Sequence, residues 1–447
     1  MLEKPSRLYD KHEIARYYFN IVPFLEEYLG EPLPLPKGTD EQMERVQRII
    51  VPECLEQEMS MEPWIKIPKV LRELYHGPLQ RPRILRRLKV LEQYLGTLAE
   101  IWLMPEGFGS PTGSHKINTA VAQALYALLA GKTRLITETG AGQWGSALSA
   151  AVVIVNGIIE ALKKATGLDL KKMTAEVYWV RNVMQWKPGR LQAMVNYDAK
   201  VYPSPSEATQ AGRDVLAKNP DHPGDLGIAI SEGVETAMQD PNACYVLGSV
   251  LNHVLMHQTI NGLEVMRQLE ENDRYPDYMV GCFGGGSNFG GFILPILGQM
   301  LAEGKRDIEF VACQNEAFPN LVKGEYKYGD PDHAGLLPQL KMFTLGTEWS
   351  GDPIRAGGLE YHGAAPILSF LRHHGYIRAW AFPKDEKEVL EAMRLSAKLD
   401  GWHWAAESGH GLLGAIKLAL EAKGTGRHPI IVVNASGRAD MEMETYK

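Results

Sequence analysis

DYMVGCFGGGSN, residues 277–288, runs from an unbroken apolar stretch into three adjacent glycines and then into residues that open a helix. Apolar character without polar alternation marks a strand covered on both faces, as in a parallel sheet layered between helices. The same pattern recurs in RLIT (134–137), AEVYWV (175–180), AKVYP (199–203), IEFVACQ (308–314) and HPIIVVNA (428–435). Helical patterns lie between them. In HKINTAVAQALYALLAG (115–131), Ile117, Ala120, Val121, Ala124, Leu125 and Leu128 share one stripe, and Gly131 ends it. A second small-residue helix is expected over SALSAAVVIVNGIIEAL, after the glycine-rich turn ETGAGQWG (138–145). Buried strands alternating with helices predict an α/β chain of two three-layer lobes with largely parallel sheets and a cleft between them.

At 447 residues the chain exceeds what one core usually serves. Residues 1–80 read as a proline-rich N-terminal extension of extended segments and helices, 81–248 as an N-terminal lobe and 249–447 as a C-terminal lobe. The seam falls near 226–262. A formal charge of −7 argues against the basic surface that nucleic acid or an anionic membrane would need. Cys54, Cys244, Cys282 and Cys313 are widely spaced without a CxxC pair, which suits a reducing compartment and offers no zinc or other metal signature. The N-terminus has scattered charges and no apolar signal core, and stretches such as FILPILGQM are too short to span a bilayer. A soluble cytoplasmic protein is expected.

Gly284, Gly285 and Gly286 follow a strand and precede a helix. Glycines let backbone N–H groups approach a ligand closely, and a helix start adds free donors and partial positive charge, so the loop suits one phosphate. It is not GxxxxGK[ST]. Gly284, Gly286 and Gly291 nearly fit the dinucleotide spacing, yet no acidic residue closes a following strand at the usual distance. A tight turn without a ligand is the plain alternative. The second chemical signal is GSHKIN (113–118), which puts Lys116 at the start of an apolar helix. An amine and a phosphate nest on one chain suggest pyridoxal 5′-phosphate, although a helix-start lysine is usually solvated.

GSHKINTA, ETGAGQWG, GGGSN, AAESGHGL and NASGRAD occur in the order found in tryptophan synthase β chains, and the chain resembles that family over about residues 80–440. QWG for the commoner QHG, AGGLEYHGAAP and the long N-terminus resemble its second, divergent branch. The resemblance implies a fold-type II enzyme with pyridoxal 5′-phosphate in the interlobe cleft. It implies β-replacement of L-serine, or O-phosphoserine, by indole to give L-tryptophan. It further implies a homodimer, a mobile subdomain over about 131–248 that closes on the intermediate, and a tryptophan synthase α subunit as a weak or absent partner.

By the same resemblance Lys116 binds the cofactor as a Schiff base and then takes the Cα proton. His115 packs beside the phosphate, where a buried structural histidine would read equally well. Glu138 is the acid-base catalyst, the alternative being a helix N-cap. Thr139, Gly140, Ala141, Gly142 and Gln143 cradle the substrate carboxylate, Gln143 also lying at the cofactor. Gly284, Gly285, Gly286, Ser287 and Asn288 hold the phosphate. Ser249 stands where the family has threonine, and Glu407 lies near the ring or on a helix surface. Ser436 faces the pyridine nitrogen, where a neutral hydroxyl favours β-elimination and replacement over transamination. Departures are present. RAGGLEYHG (355–363) offers Glu360 where the family has aspartate at the serine hydroxyl, and Arg355 or His362 would suit a phosphorylated donor. Rival readings are a serine or threonine deaminase or a cysteine synthase, a phosphate-ligand-binding regulator without turnover, and a dinucleotide-dependent enzyme.

Overall fold

The computed structural model describes residue 5 and residues 7–447. Two sheets organise it. The larger has six strands in the order Ile377–Phe382, Glu309–Asn315, Tyr278–Cys282, Ile430–Asn434, Glu100–Met104 and Arg86–Arg87. All its pairings are parallel except that of the edge strand Arg86–Arg87. The smaller has four parallel strands, Lys200–Ser204, Thr174–Val180, Arg134–Thr139 and Ala243–Tyr245.

The two-residue period of the strands sorts the large sheet's side chains into two cores. Ile101, Leu103, Val280, Val311, Ile431 and Val433 join one apolar cluster with Val389 and Leu412 from the helices Lys387–Asp400 and Ala406–Thr425. Trp102, Met104, Met279, Phe310, Ala312 and Val432 join the other. That second cluster includes Ile117–Leu129, Asn252–Glu271 and Ser287–Ala302. Helices therefore cover both faces, as continuous apolar strands require.

One expected boundary moves. Glu100–Met104 pairs with Ile430–Asn434, so residues 86–104 lie in the sheet of the C-terminal half and the small sheet, 134–245, is inserted between them. A lobe running without interruption from 81 to 248 does not describe the sheets, because no local pattern in EIWLM names its distant partner strand. The second helix also begins earlier than the glycine-rich turn suggested, at Gln143. Strands Glu100–Met104, Ala243–Tyr245 and Ile377–Phe382 add to the apolar runs that the sequence marks.

The N-terminal segment forms the helices Val22–Leu29, Asp40–Ile49, Pro52–Glu58 and Lys69–His76, with an antiparallel pair of Tyr17–Phe19 and Trp64–Lys66. Behind it, fully buried Arg81 bridges Glu106 at 2.7 Å and Glu264 at 2.8 Å, and donates to the Asn118 side chain at 3.0 Å. Both carboxylates raise the Arg81 pKa against the opposing effect of burial. A buried charge is tolerable only when paired and hydrogen-bonded, and this cluster grips Asn118, two residues beyond Lys116, in the first turn of the helix Ile117–Leu129. All four cysteines are free and buried. Among the described residues, no single helix is long and apolar enough to cross a membrane.

Candidate active site

A cavity of about 370 Å³ opens between the sheets, and Lys116, Glu138, Ser249 and Gly285 all line it. Lys116 precedes the helix Ile117–Leu129, which is buried along nearly its whole length. Its loop is strapped in place: the His115 amide donates to the Ser436 carbonyl at 2.8 Å, and Ser114 bridges Gly437. Burial lowers the Lys116 pKa, opposed by the carboxylates of Glu407 and Glu138. Desolvation favours the free amine, the form that attacks a carbonyl.

The glycine loop lies beside this lysine. His115 Nε2 is 3.4 Å from Ser287 Oγ, and Ser287 begins the helix Ser287–Ala302. Burial holds the His115 pKa well below its ordinary value, so the ring is neutral. Its Nδ1 is buried without a partner. The glycines are demanded by space. A Cβ on Gly284 would stand 2.5 Å from the Gly358 carbonyl oxygen, one on Gly285 would collide with Ser249 Oγ, and Gly286 has φ +108. A cradle that excludes side chains, a helix start and an unpartnered imidazole nitrogen beside a desolvated amine fit pyridoxal 5′-phosphate. Asn288 lies behind the loop, accepting from Asn434 Nδ2 at 2.7 Å.

Glu138 sits at the end of the strand Arg134–Thr139, where parallel sheets present working groups. It is no helix cap, because Gly142 occupies that position before Gln143–Asn156. Burial pushes its carboxyl up to about 7, and the Tyr245 hydroxyl, which donates to Oε2, opposes the shift. Both protonation states are thus populated near neutral pH. Tyr245 was invisible to sequence reasoning: it comes from the neighbouring strand Ala243–Tyr245, and only the pairing Ile136↔Tyr245 brings it alongside.

The loop Thr139–Gln143 is shaped by Trp179. Its indole nitrogen donates to the Gly140 carbonyl at 2.8 Å, and its ring fills the space a Gly142 side chain would need. Thr139, Gly140, Ala141 and Gln143 line the cavity. Gln143 is tied back, its amide donating to Glu407 at 3.0 Å and Glu442 at 3.1 Å. Glu442 is itself paired with Lys187 at 2.7 Å and Arg190 at 3.3 Å; these cations hold its carboxyl at about 2 although burial raises it. No motif pointed to this C-terminal carboxylate.

Glu407 is buried, not a surface carboxylate, and accepts the Gly358 amide at 2.8 Å behind the cavity wall. Glu360 lines the cavity, accepts the Ile354 amide at 3.1 Å and is pushed up to about 7 by burial. Ser436 Oγ lies 2.8 Å from Ser408 Oγ and 3.4 Å from Cys282 Sγ. The structure therefore gathers Lys116, Glu138, Ser249, Gly285, Glu360 and most of the Thr139–Gln143 loop at one cavity, with Glu407 tied to Gln143 and Gly358 behind its wall.

A family model described as pyridoxal-phosphate dependent enzyme matches residues 78–437. The chain is 46% identical over 437 residues to the tryptophan synthase beta chain 2 of Thermococcus kodakarensis, covering 97% of this chain and 93% of that one. Against the tryptophan synthase beta chain 2 of Thermotoga maritima it is also 46% identical, with 97% of each chain covered. Among solved structures it resembles a fungal L-serine ammonia-lyase from Rhizomucor miehei, with a TM-score of 0.56 and 15% identity over 81% of this chain and 96% of that one. Maize serine racemase matches with a TM-score of 0.53 and 13% identity over 82% and 93%. At such identities these structures speak for the shared fold alone.

Proposed function

The chain belongs to the pyridoxal-phosphate-dependent enzymes and, within them, to the tryptophan synthase β chains, and from that premise we propose how its own residues divide the work. The reaction replaces the β-hydroxyl of L-serine with indole and yields L-tryptophan. Bound in the cleft, pyridoxal 5′-phosphate supplies the electron sink that makes the amino acid's Cα–H acidic.

Lys116 anchors that group through its amine and, once released by the incoming amino acid, accepts the Cα proton. His115, Ser249, Gly284, Gly285, Gly286, Ser287 and Asn288 form the phosphate end of the site, with Ser436 and Glu407 at the ring. Thr139 to Gln143, at a helix start, take the substrate carboxylate. Glu138 protonates the departing hydroxyl and then accepts the proton from the indole nitrogen. Its place at the strand end, accepting from the Tyr245 hydroxyl in the cavity of Lys116, with burial pushing the carboxyl up, is the observation that carries this reading over a deaminase or a cysteine synthase.

L-serine is the donor we favour over O-phosphoserine. The carboxyls of Glu138 and Glu360 line the cavity, while Arg355 and His362 do not. His362, pushed down to about 4 by burial, carries no charge at neutral pH. The subdomain of about residues 131–248 closes over the site and excludes water that would divert serine to pyruvate and ammonia. A cytoplasmic homodimer rests on family membership. A tryptophan synthase α subunit is a weak or absent partner in this reading, which rests on the resemblance to the divergent branch of the family.

Loading the protein with pyridoxal 5′-phosphate and supplying L-serine and indole is expected to produce tryptophan, with O-phosphoserine the slower donor. Pyruvate without tryptophan would instead identify a deaminase. A second expectation concerns Tyr245→Phe. Removing the donor that favours the Glu138 carboxylate raises that carboxyl further above about 7. The acid limb of the kcat/KM profile for indole, at saturating L-serine, should move to higher pH, and an unmoved limb would mean that Tyr245 does not tune Glu138.

A further inference from the structure

The cavity of Lys116 and Glu138 extends well beyond them. Its outer part is walled by the N-terminal helices Asp40–Ile49 and Pro52–Glu58, through Met43, Val46 and Leu55, and by Ile50 and Met59, which follow them. Met43 is 40% and Met59 60% exposed, whereas Glu138 is 7%, which orders these groups from mouth to floor.

This wall is built, not a loose terminus. At one end Lys37 bridges Gln339, Gln42 Nε2 donates to the Gly335 carbonyl at 2.8 Å, and Arg45 donates to the Leu336 carbonyl at 2.5 Å. At the other, Glu58 accepts the backbone amides of Asn252 at 3.1 Å and His253 at 2.9 Å, and its Oε2 lies 2.7 Å from His253 Nδ1. Of the N-terminal residues lining the cavity, Glu58 alone is charged, and these contacts already engage it.

We propose that this N-terminal wall is the acceptor-selecting subsite, a vestibule that takes a neutral aromatic heterocycle and reads its size through Val46 and Leu55. The proposal deepens the tryptophan synthase reading and rests on it. The chemistry is complementary. An apolar wall gives a zwitterionic amino acid no partner for its charges, whereas a flat ring buries its faces there. Methionine thioethers at the mouth make favourable contacts with aromatic edges and adapt to several ring shapes. Val46 and Leu55 are half-buried against the main core, so their bulk bounds the vestibule.

The test uses the cofactor-loaded enzyme with saturating L-serine and two acceptors, indole and an indole brominated on its benzo ring. Val46→Ala combined with Leu55→Ala should raise the bromoindole-to-indole ratio of kcat/KM about tenfold, the scale on which apolar pockets discriminate small groups. Leu55→Phe should lower that ratio by a similar factor. A loss of folding or of cofactor affects both acceptors alike, so the ratio isolates the wall. Ratios within about twofold of wild type in both variants would overturn the proposal while wild-type tryptophan formation keeps the enzyme assignment intact. A wild-type protein that makes no tryptophan from indole would overturn both.

Discussion

Replacing Lys116 with methionine should abolish tryptophan formation, a loss on the order of 10⁴-fold or more, because in the proposed division of work one amine would both anchor the cofactor and move the Cα proton. Methionine keeps the length and apolar stem of the side chain but can neither condense with an aldehyde nor accept a proton. The protein itself should not suffer. Burial lowers the Lys116 pKa, so its charged form is disfavoured in the folded state and more welcome in the unfolded chain. That group contributes a penalty at pH values where the unfolded lysine is protonated, and the penalty shrinks as pH rises. The cofactor-free variant should therefore unfold at a temperature no lower than wild type. Activity readings and a thermal melt on the same sample check both statements. Residual turnover near the wild-type rate would remove Lys116 from the chemistry, and a collapsed melt would make its role structural.

Glu138→Gln is the second large effect. Glutamine matches the shape and can still accept a hydrogen bond from Tyr245, but it cannot exchange a proton. The expected loss in kcat is about 10²- to 10⁴-fold, the usual worth of a positioned acid-base group. The pH profile carries the sharper signature. With the carboxyl at about 7, the carboxylate that receives the indole proton grows in as pH rises, so wild-type kcat/KM for indole, measured at saturating L-serine, should climb through that region. In the variant this limb should vanish. A limb that survives substitution would assign the titration to another group, with Glu360, also near 7, the first to examine.

How much of this was legible in the sequence depends on the range of the interaction. The glycine loop could be read because only glycine fits where the Gly358 carbonyl and Ser249 hydroxyl crowd the backbone. Lys116 could not be read from its helix start alone, where a lysine is usually solvated; it was singled out by GSHKINTA standing in order with the other four motifs of the family it resembles. Tyr245 could not. Its position beside Glu138 follows from the pairing of two strands more than a hundred residues apart. Glu442 was equally hidden, since its partners Lys187 and Arg190 lie about 250 residues upstream. The N-terminal extension read only as proline-rich covering, although it walls the cavity.

By itself the sequence determined the alternation of buried strands and helices and a glycine loop suited to one phosphate, whereas Lys116 and Glu138 were marked by resemblance to a family. The strands, helices and loop are written in neighbouring residues, through side-chain period and backbone permission. Tertiary structure alone decided that Glu100–Met104 joins the C-terminal sheet, that Tyr245 holds Glu138, and that helices near residue 50 face an amine at residue 116. Those facts come from chain segments that meet only when burial of apolar faces drives the layers together, and no local pattern records which distant segment will be met.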